Sequence, residues 1–449
     1  MPQEPRTVPA RLDHAGLVAE LERRWPERQV AKGTARIEAL LDLLGHPQRS
    51  APMIHLTGTN GKGSTAIMID ALLRAEGLRT GRFSSPHLVD PVERVAVDGR
   101  PIDPETFDRA WDELRGPVEL IDAARIDGSR LTYFEIMTAL AHLVFADAPV
   151  DVLVVEVGLG GRWDATNVAD AAVAVVTPIA LDHTDLLGDD LAQIAAEKAG
   201  LIKPGSYAVL ARQPPQAAAV LERRCAEVGA QALRQGVDFD LLDRRLAVGG
   251  QVIRWTSANG PIDDLKLPLH GAAMAQNAAV ALAAVEAFHG LRGLDAAVAQ
   301  AGLAAVEAPA RTEVVRHGPT VVIDTCHNPA AVQATLATIA EAFDFAPLIA
   351  VWATMADKDV ETVLSLLEAD LAILVATQTD AERALPAERL GQLAQAVLGP
   401  DRVLVRPQVA DAIELAVELA DQAGPTAGLL VAGSVRLAGQ ARQLLAPER

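Results

Sequence analysis

Residues 57–64 read Thr-Gly-Thr-Asn-Gly-Lys-Gly-Ser, between the short apolar run Met53-Ile54-His55-Leu56 and the helical pattern of Ala66–Ala75. A strand, a glycine-rich turn, a lysine and a helix start, in that order, make a place to hold a nucleoside triphosphate. Backbone N–H groups of a tight glycine turn approach phosphate oxygens closely, and the helix that follows directs the positive end of its dipole at them. Lys62 adds a point charge at the β/γ-phosphates, so Thr59, Asn60, Gly61, Lys62, Gly63 and Ser64 are the candidate ligands. Gly63 departs from the common pattern, because it stands where such loops carry the Ser or Thr that binds magnesium.

The chain around this loop reads as α/β. Val152–Val157 and Val173–Val176 are continuous apolar runs, as expected of strands covered on both faces. Gln193–Leu201 reads as a helix and Tyr207–Ala211 as a further strand. Residues 236–269 change character, with short alternating runs (Leu241–Val248, Gln251–Trp255) and turn residues at Gly249-Gly250 and Asn259-Gly260, which predicts a small antiparallel insertion. An Ala-rich helix over Ala272–His289 precedes a linker at Ala308-Pro309-Ala310. A second α/β series follows, with strands predicted at Val321–Asp324, Leu348–Trp352, Leu371–Ala376, Arg402–Val405 and Gly428–Ala432, enough for a complete doubly wound domain.

Composition narrows the function classes. The formal charge is −19, from 40 Lys+Arg against 59 Asp+Glu, and a surface this acidic repels a phosphate backbone, which argues against nucleic acid as a partner. Half the residues are hydrophobic and only 3% aromatic, a mix suited to helices on a parallel sheet. Two cysteines, Cys225 and Cys326, make no disulfide framework and fit a reducing cytosol. The polar stretch Met1–Arg11 has no apolar signal core, and the longest apolar stretch, Ala171–Leu181, is too short for a membrane span. A cytoplasmic protein without a membrane partner is expected.

Four further segments carry chemistry. Glu156-Val157-Gly158-Leu159-Gly160-Gly161-Arg162-Trp163-Asp164-Ala165-Thr166-Asn167 begins at the carboxyl end of a buried strand, where ligand crevices form, and Glu156 there suits Mg²⁺ or a metal-bound water as well as it suits capping a turn. Asp182-His183-Thr184-Asp185 offers an imidazole for a metal or for a loop backbone group, and Glu197-Lys198-Ala199-Gly200 by itself reads as an exposed charged pair. Asp324-Thr325-Cys326-His327-Asn328-Pro329 ends the second domain's first strand, with Asp324 placed to accept from ribose hydroxyls. Cys326 and His327 are sequence neighbours at a strand end and point apart, so they make a poor nucleophile–base pair.

Together with Ser84-Ser85-Pro86-His87-Leu88, Glu93-Arg94 and Thr132-Tyr133-Phe134-Glu135, these segments resemble the folylpolyglutamate synthase/dihydrofolate synthase family, within the Mur-type ATP-dependent amide ligases, from Arg36 to Val435. The resemblance implies an N-terminal P-loop ATPase-like doubly wound domain with the antiparallel β insertion, residues 1–308, and a smaller C-terminal Rossmann-like α/β domain, residues 309–449. It implies that Asn60–Gly63 cradle ATP, with Asn277, Arg311 and Asp324 gripping the nucleotide as the domains close. Ser85, Glu156 and His183 would hold one Mg²⁺ or two, with K⁺ as a further cation, and Lys198 would carry a CO₂-derived carbamate. Thr132, Tyr133, Phe134, Glu135, Trp163, Asp164 and Ala165 match stretches that hold the pterin. Lys62, Lys198 and His327 are the implied catalytic groups, His327 orienting the incoming glutamate or the acyl phosphate.

The implied reaction joins L-glutamate to dihydropteroate or to a reduced folate. The acceptor carboxylate attacks the γ-phosphate of ATP, and glutamate's amine displaces phosphate from the acyl phosphate. The chain is expected to act as a monomer on small molecules. Departures from the family pattern fall at Trp163, Thr325-Cys326, Ala310 and Val435-Arg436, around the pterin and amino-acid sites. The rival readings are a Mur-type ligase with another carboxylate acceptor and a non-catalytic nucleotide-binding protein. A GTPase would carry an Asn-Lys-x-Asp base-reading motif, which is absent.

Overall fold

The apolar runs are the inner strands of an eight-stranded sheet. Its order is Arg100–Pro101, Val95–Val97, Thr80–Phe83, Val152–Glu156, Met53–Thr57, Val173–Val176, Tyr207–Leu210, Gln231–Arg234. The six strands from Thr80–Phe83 onward are parallel, and a short antiparallel hairpin closes the other edge. This computed structural model describes residues 13–25 and 31–445, so the stretch Met1–Arg11 lies outside the described residues. Among the described residues no helix is long and apolar enough to cross a membrane.

Met53–Thr57, Val152–Glu156 and Val173–Val176 are buried along their whole length because helices cover both faces. On one face, Lys62–Ala75 and Ala272–Phe288 pack with a three-stranded antiparallel sheet, Asp240–Ala247, Gly250–Ser257 and Gly260–Leu267. Trp255, Ile253 and Leu265 anchor that insertion to the core. On the other face, Pro104–Ala124 and Tyr133–Asp147 build a second core. The helix read as Gln193–Leu201 is an α-helix over Leu191–Lys198 followed by a 3₁₀ turn, Ala199–Leu201.

A second sheet of six strands runs Glu313–His317, Thr320–Ile323, Gly428–Ala432, Leu348–Trp352, Ile373–Ala376, Val403–Val405. Its first strand is antiparallel and half-exposed, and its mixed Glu-Val-Val-Arg-His sequence has no buried-strand pattern to read. Val306 and Ala308 pack into the first sheet's core and Ala310 into the second's.

The two halves meet at the carboxyl ends of their strands. Lys358 Nζ pairs with Asp182 Oδ1 at 3.1 Å, and Asn328 Nδ2 donates to Asn60 Oδ1 at 3.1 Å. The helix Val435–Leu445 lays Gly439 directly on the backbone of Leu88, where an added Cβ would lie 2.1 Å from the Leu88 carbonyl oxygen.

Candidate active site

The strand Met53–Thr57 ends by feeding the loop into a space only glycine fits. Gly58 has φ +148°, and a Cβ there would lie 1.8 Å from Thr177 Oγ1. Gly61, at φ +87°, would push a Cβ to 2.7 Å from Asn277 Oδ1, so Asn277 is packed against the turn. The left-handed Gly61 starts the helix Lys62–Ala75 four residues earlier than its apolar pattern does. No side chain caps that helix, which leaves its first-turn N–H groups for an anion.

Two lysines converge on this loop. Lys62 Nζ donates to the carbonyls of Gly58 and Thr59 at 3.1 and 3.2 Å. Lys198, 3% exposed, donates to the Gly58 carbonyl at 2.8 Å. Burial first, and then the neighbouring Lys62 charge, bring the Lys198 ammonium down to a pKa of about 7.

Gly63 faces Glu156. A Cβ on Gly63 would stand 3.4 Å from Glu156 Oε2 and 3.7 Å from an Arg311 guanidinium nitrogen. The missing hydroxyl therefore makes room for a carboxylate from the neighbouring strand and a cation from the other half of the chain. Glu156 is 4% exposed and accepts from the Ser85 N–H at 3.3 Å. Burial raises its pKa, while Lys62, that N–H, Arg311 and Arg82 pull it back.

His183 caps the short helix Thr184–Leu187 in a left-handed conformation, beside Asp182. Burial lowers the imidazole pKa, with Asp182 opposing and Lys358 and Lys62 assisting, so the neutral, ligating form is favoured. For Asp182, burial acts upward, but His183, Lys358 and His327 outweigh it and hold the carboxyl at about 2. Among the described residues no three His, Cys, Asp or Glu side chains gather as a metal cluster. The chemistry of Ser85, Glu156 and His183 nevertheless fits Mg²⁺: the buried Glu156 carboxylate, held by the Ser85 N–H, suits a hard ion whose shell is completed by phosphate oxygens and water.

Thr59, Lys62, Ser85, Thr132, Phe134, Glu135, Trp163, Asp164, Ala165, His183, Lys198 and His327 all line one cleft of about 610 Å³ between the halves. Phe134 lies over the Gly158 backbone, with a Cβ on Gly158 only 2.5 Å from its ring. Lys32 sits 5.4 Å above the Trp163 ring. Asp164 clamps its own loop, accepting from Leu159 N at 2.9 Å and from Thr166 N and Oγ1 at 2.9 and 2.6 Å. Glu135 pairs with buried Arg36 at 3.1 Å and closes a capping box with Thr132. Tyr133 corrects the sequence reading: helical rotation turns its ring into the core, 1% exposed and away from the cleft. The Arg94 guanidinium, which lines the cleft, stands 5.4 Å from that ring.

Asn60, Gly61, Gly63, Ser64, Glu156, Asn277, Arg311 and Asp324 are not among the residues that line the cleft. Both Asp324 oxygens are taken within its own domain, Oδ2 by Thr312 N and Oγ1 at 2.8 and 3.0 Å and Oδ1 by Cys326 N at 2.7 Å. That clasp holds the turn at Ala310 (φ 54°) and Thr312 (φ 51°), and thereby aims Arg311 at Gly63. Cys326 is buried, and burial together with Asp324 pushes its thiol well above the ordinary range, so it packs and does not react. His327 Nδ1 donates to the Thr325 carbonyl at 2.9 Å, which leaves the Nε2 lone pair free. Burial keeps that ring neutral.

The second domain also supplies Lys358, Arg383 and Arg436 to the cleft wall. Lys358 and Arg383 escaped the sequence reading, although Lys358 follows the carboxyl end of Leu348–Trp352, a position that marks ligand crevices in such sheets.

Residues 56–285 match the Mur ligase middle domain, and residues 310–435 the Mur ligase glutamate ligase domain. The chain is 46% identical over 448 residues to a Mycobacterium tuberculosis dihydrofolate synthase/folylpolyglutamate synthase, covering 94% of this chain and 92% of that one. It superposes on the M. tuberculosis folylpolyglutamate synthase complexed with ADP with a TM-score of 0.93 at 45% identity, covering 97% and 98%. For Escherichia coli FolC in complex with DHPP and ADP, the TM-score is 0.84 at 31% identity, covering 98% and 99%.

Proposed function

The chain belongs to the folylpolyglutamate synthase/dihydrofolate synthase family of Mur ligases and joins L-glutamate to folates with ATP, and within that activity we propose how its residues divide the work. The observation that carries the division is the convergence of Lys62 and Lys198 on one carbonyl, beside Glu156 and Ser85, in a cleft whose far wall bears His327. The uncapped helix start and Lys62 bind the triphosphate, with Asn277 beside the turn and Arg311 reaching in from the second domain. Ser85, Glu156 and His183 would hold Mg²⁺, which when bound would neutralise phosphate charge.

Lys198 carries a carbamate. Its neutral amine attacks CO₂, the new N–C bond forms, and one proton leaves to solvent, which turns a cation into a hard anionic ligand. The depressed pKa supports this, because only the free amine reacts. K⁺ would serve as an added cation at the same anionic cluster.

The acceptor's ring system lies on Phe134, Trp163 and Ala165, with the remaining lone-pair capacity of Asp164 toward its N–H donors. Its carboxylate attacks the γ-phosphorus beside Lys62, the bond from that phosphorus to the β-phosphate oxygen breaks, and an acyl phosphate forms with ADP as the leaving group. The amine of glutamate then enters from the second domain's wall. In this reading His327 Nε2 takes its proton, and the tetrahedral intermediate then collapses to amide and phosphate; the Nδ1 bond to the Thr325 carbonyl supports that role.

Both dihydropteroate and reduced folates are acceptors in this reading. The domain boundary falls at 308/309, supported by the split of Ala308 and Ala310 between cores. Both walls come from one chain, which supports action as a monomer, and the free cysteines support the cytoplasm. Dihydropteroate and tetrahydrofolate assayed side by side should each drive phosphate release from ATP only when L-glutamate is present. Turnover with tetrahydrofolate alone would overturn the dihydropteroate half, and turnover with neither would overturn the reading.

A further inference from the structure

Six lysine and arginine side chains line the cleft, and five are engaged. Lys62 and Lys198 hold the phosphate-loop carbonyls. Arg94 Nε donates to His87 Nδ1 at 2.9 Å, Lys358 pairs with Asp182 at 3.1 Å, and Arg383 pairs with Asp357 at 3.0 Å. Arg436 also lines the cleft, is exposed, and has neither ion pair nor hydrogen bond among the described residues.

Its direction is fixed by the helix that carries it. Arg436 and Gly439 are three residues apart on Val435–Leu445 and so share a face. Gly439 is seated on the Leu88 backbone, and Arg436 is therefore presented toward the loop that carries Ser85 and His87. Gly433, at the other end of the same turn, donates to the Cys326 carbonyl at 3.1 Å, which keeps Arg436 in register with the His327 loop.

We infer that Arg436 binds a carboxylate of the incoming L-glutamate and sets this enzyme's affinity for that substrate. This rests on the ligase reading above. A planar guanidinium with five donors matches a carboxylate in bidentate geometry. The acceptor's reacting carboxylate is drawn to Lys62 on the first domain. The nucleophile must approach from the opposite wall, where His327 waits for its proton and where Arg436 is the uncommitted cation.

The test is steady-state kinetics of the full chain with Mg²⁺ and ATP, using dihydropteroate as acceptor because it bears no glutamyl carboxylate of its own. In Arg436→Ala, KM for L-glutamate should rise by about tenfold or more, the scale of one lost charge-assisted hydrogen bond. KM for ATP and dihydropteroate, and the melting temperature, should stay at wild-type values. Arg436→Lys should recover part of the loss. An unchanged glutamate KM in an active Arg436→Ala enzyme would overturn this inference alone. So would an effect confined to the KM of a glutamate-bearing folate, which would place the cation on the acceptor's tail. A wild-type protein that makes no amide with either acceptor would instead overturn the ligase reading, and this inference with it.

Discussion

Lys198→Ala is expected to lose roughly 10²–10³-fold in kcat, the usual scale for removing a preorganised charge from a reaction centre. Added short carboxylic acids such as acetate should restore part of that rate, and methylamine should not. The sign of the rescue is the point. A lysine acting as an ammonium would be replaced by a small cation, whereas a carbamate is replaced by a small anion. The same logic gives a pH dependence. The folded-state pKa of about 7 lies below the ordinary lysine value, so the neutral amine that captures CO₂ grows in as pH rises through 7. Wild-type activity should therefore climb from about pH 6 to about pH 8, and depleting dissolved CO₂ should lower it. Wild-type turnover by Lys198→Ala, or rescue by amine in place of carboxylate, would remove the carbamate.

The inner sheet was legible because burial on both faces writes itself as unbroken apolar runs. The phosphate loop was legible because its glycines mark the turn itself, which packs tightly against the Thr177 and Asn277 side chains. The edges were not. Val95–Val97 and Arg100–Pro101 are too short for a period, and Glu313–His317 is half-solvated with charges at both ends. Within the site, residue choice was legible further than residue role. Sequence alone suggests that Asp324 and Glu135 face a ligand, and Glu135 does line the cleft. The folded chain engages the Asp324 oxygens in the turn that aims Arg311 and the Glu135 carboxylate with Arg36 and the Thr132 cap. The Arg36 and Thr312 partners depend on which segments meet, which no local pattern encodes, whereas Thr132-x-x-Glu135 is itself a local capping signature. For Lys358 the strand end Leu348–Trp352 marks the position, but its partner Asp182 lies 176 residues away in the chain and no local pattern names it.

Gly439→Ala should lower kcat by roughly 10–100-fold with little loss of melting temperature. Helix propensity alone predicts a more stable enzyme with unchanged activity, because Ala replaces Gly inside a helix with a gain of about 0.5–1 kcal/mol. The contact decides. A methyl at 439 would meet Leu88 O at 2.1 Å and Leu88 C at 2.8 Å, and these are backbone atoms that cannot rotate aside. Either the helix Val435–Leu445 backs away, taking Ser434 and Arg436 with it, or the loop carrying Ser85 shifts against Glu156. Each domain keeps its own core, so stability hardly changes, but the two walls no longer meet in register. A displacement of about 1 Å at a reacting centre is enough for a loss near 10²-fold. Gly116→Ala is the matched control, since Gly116 lies in the helix Pro104–Ala124 with nothing within 4 Å of an added Cβ. That variant should retain full activity, and because Pro117 follows and crowds a helical Cβ at 116, no gain in melting temperature is expected. A Gly439→Ala enzyme as active as the Gly116→Ala one would show that the Leu88 contact does not set the closed geometry.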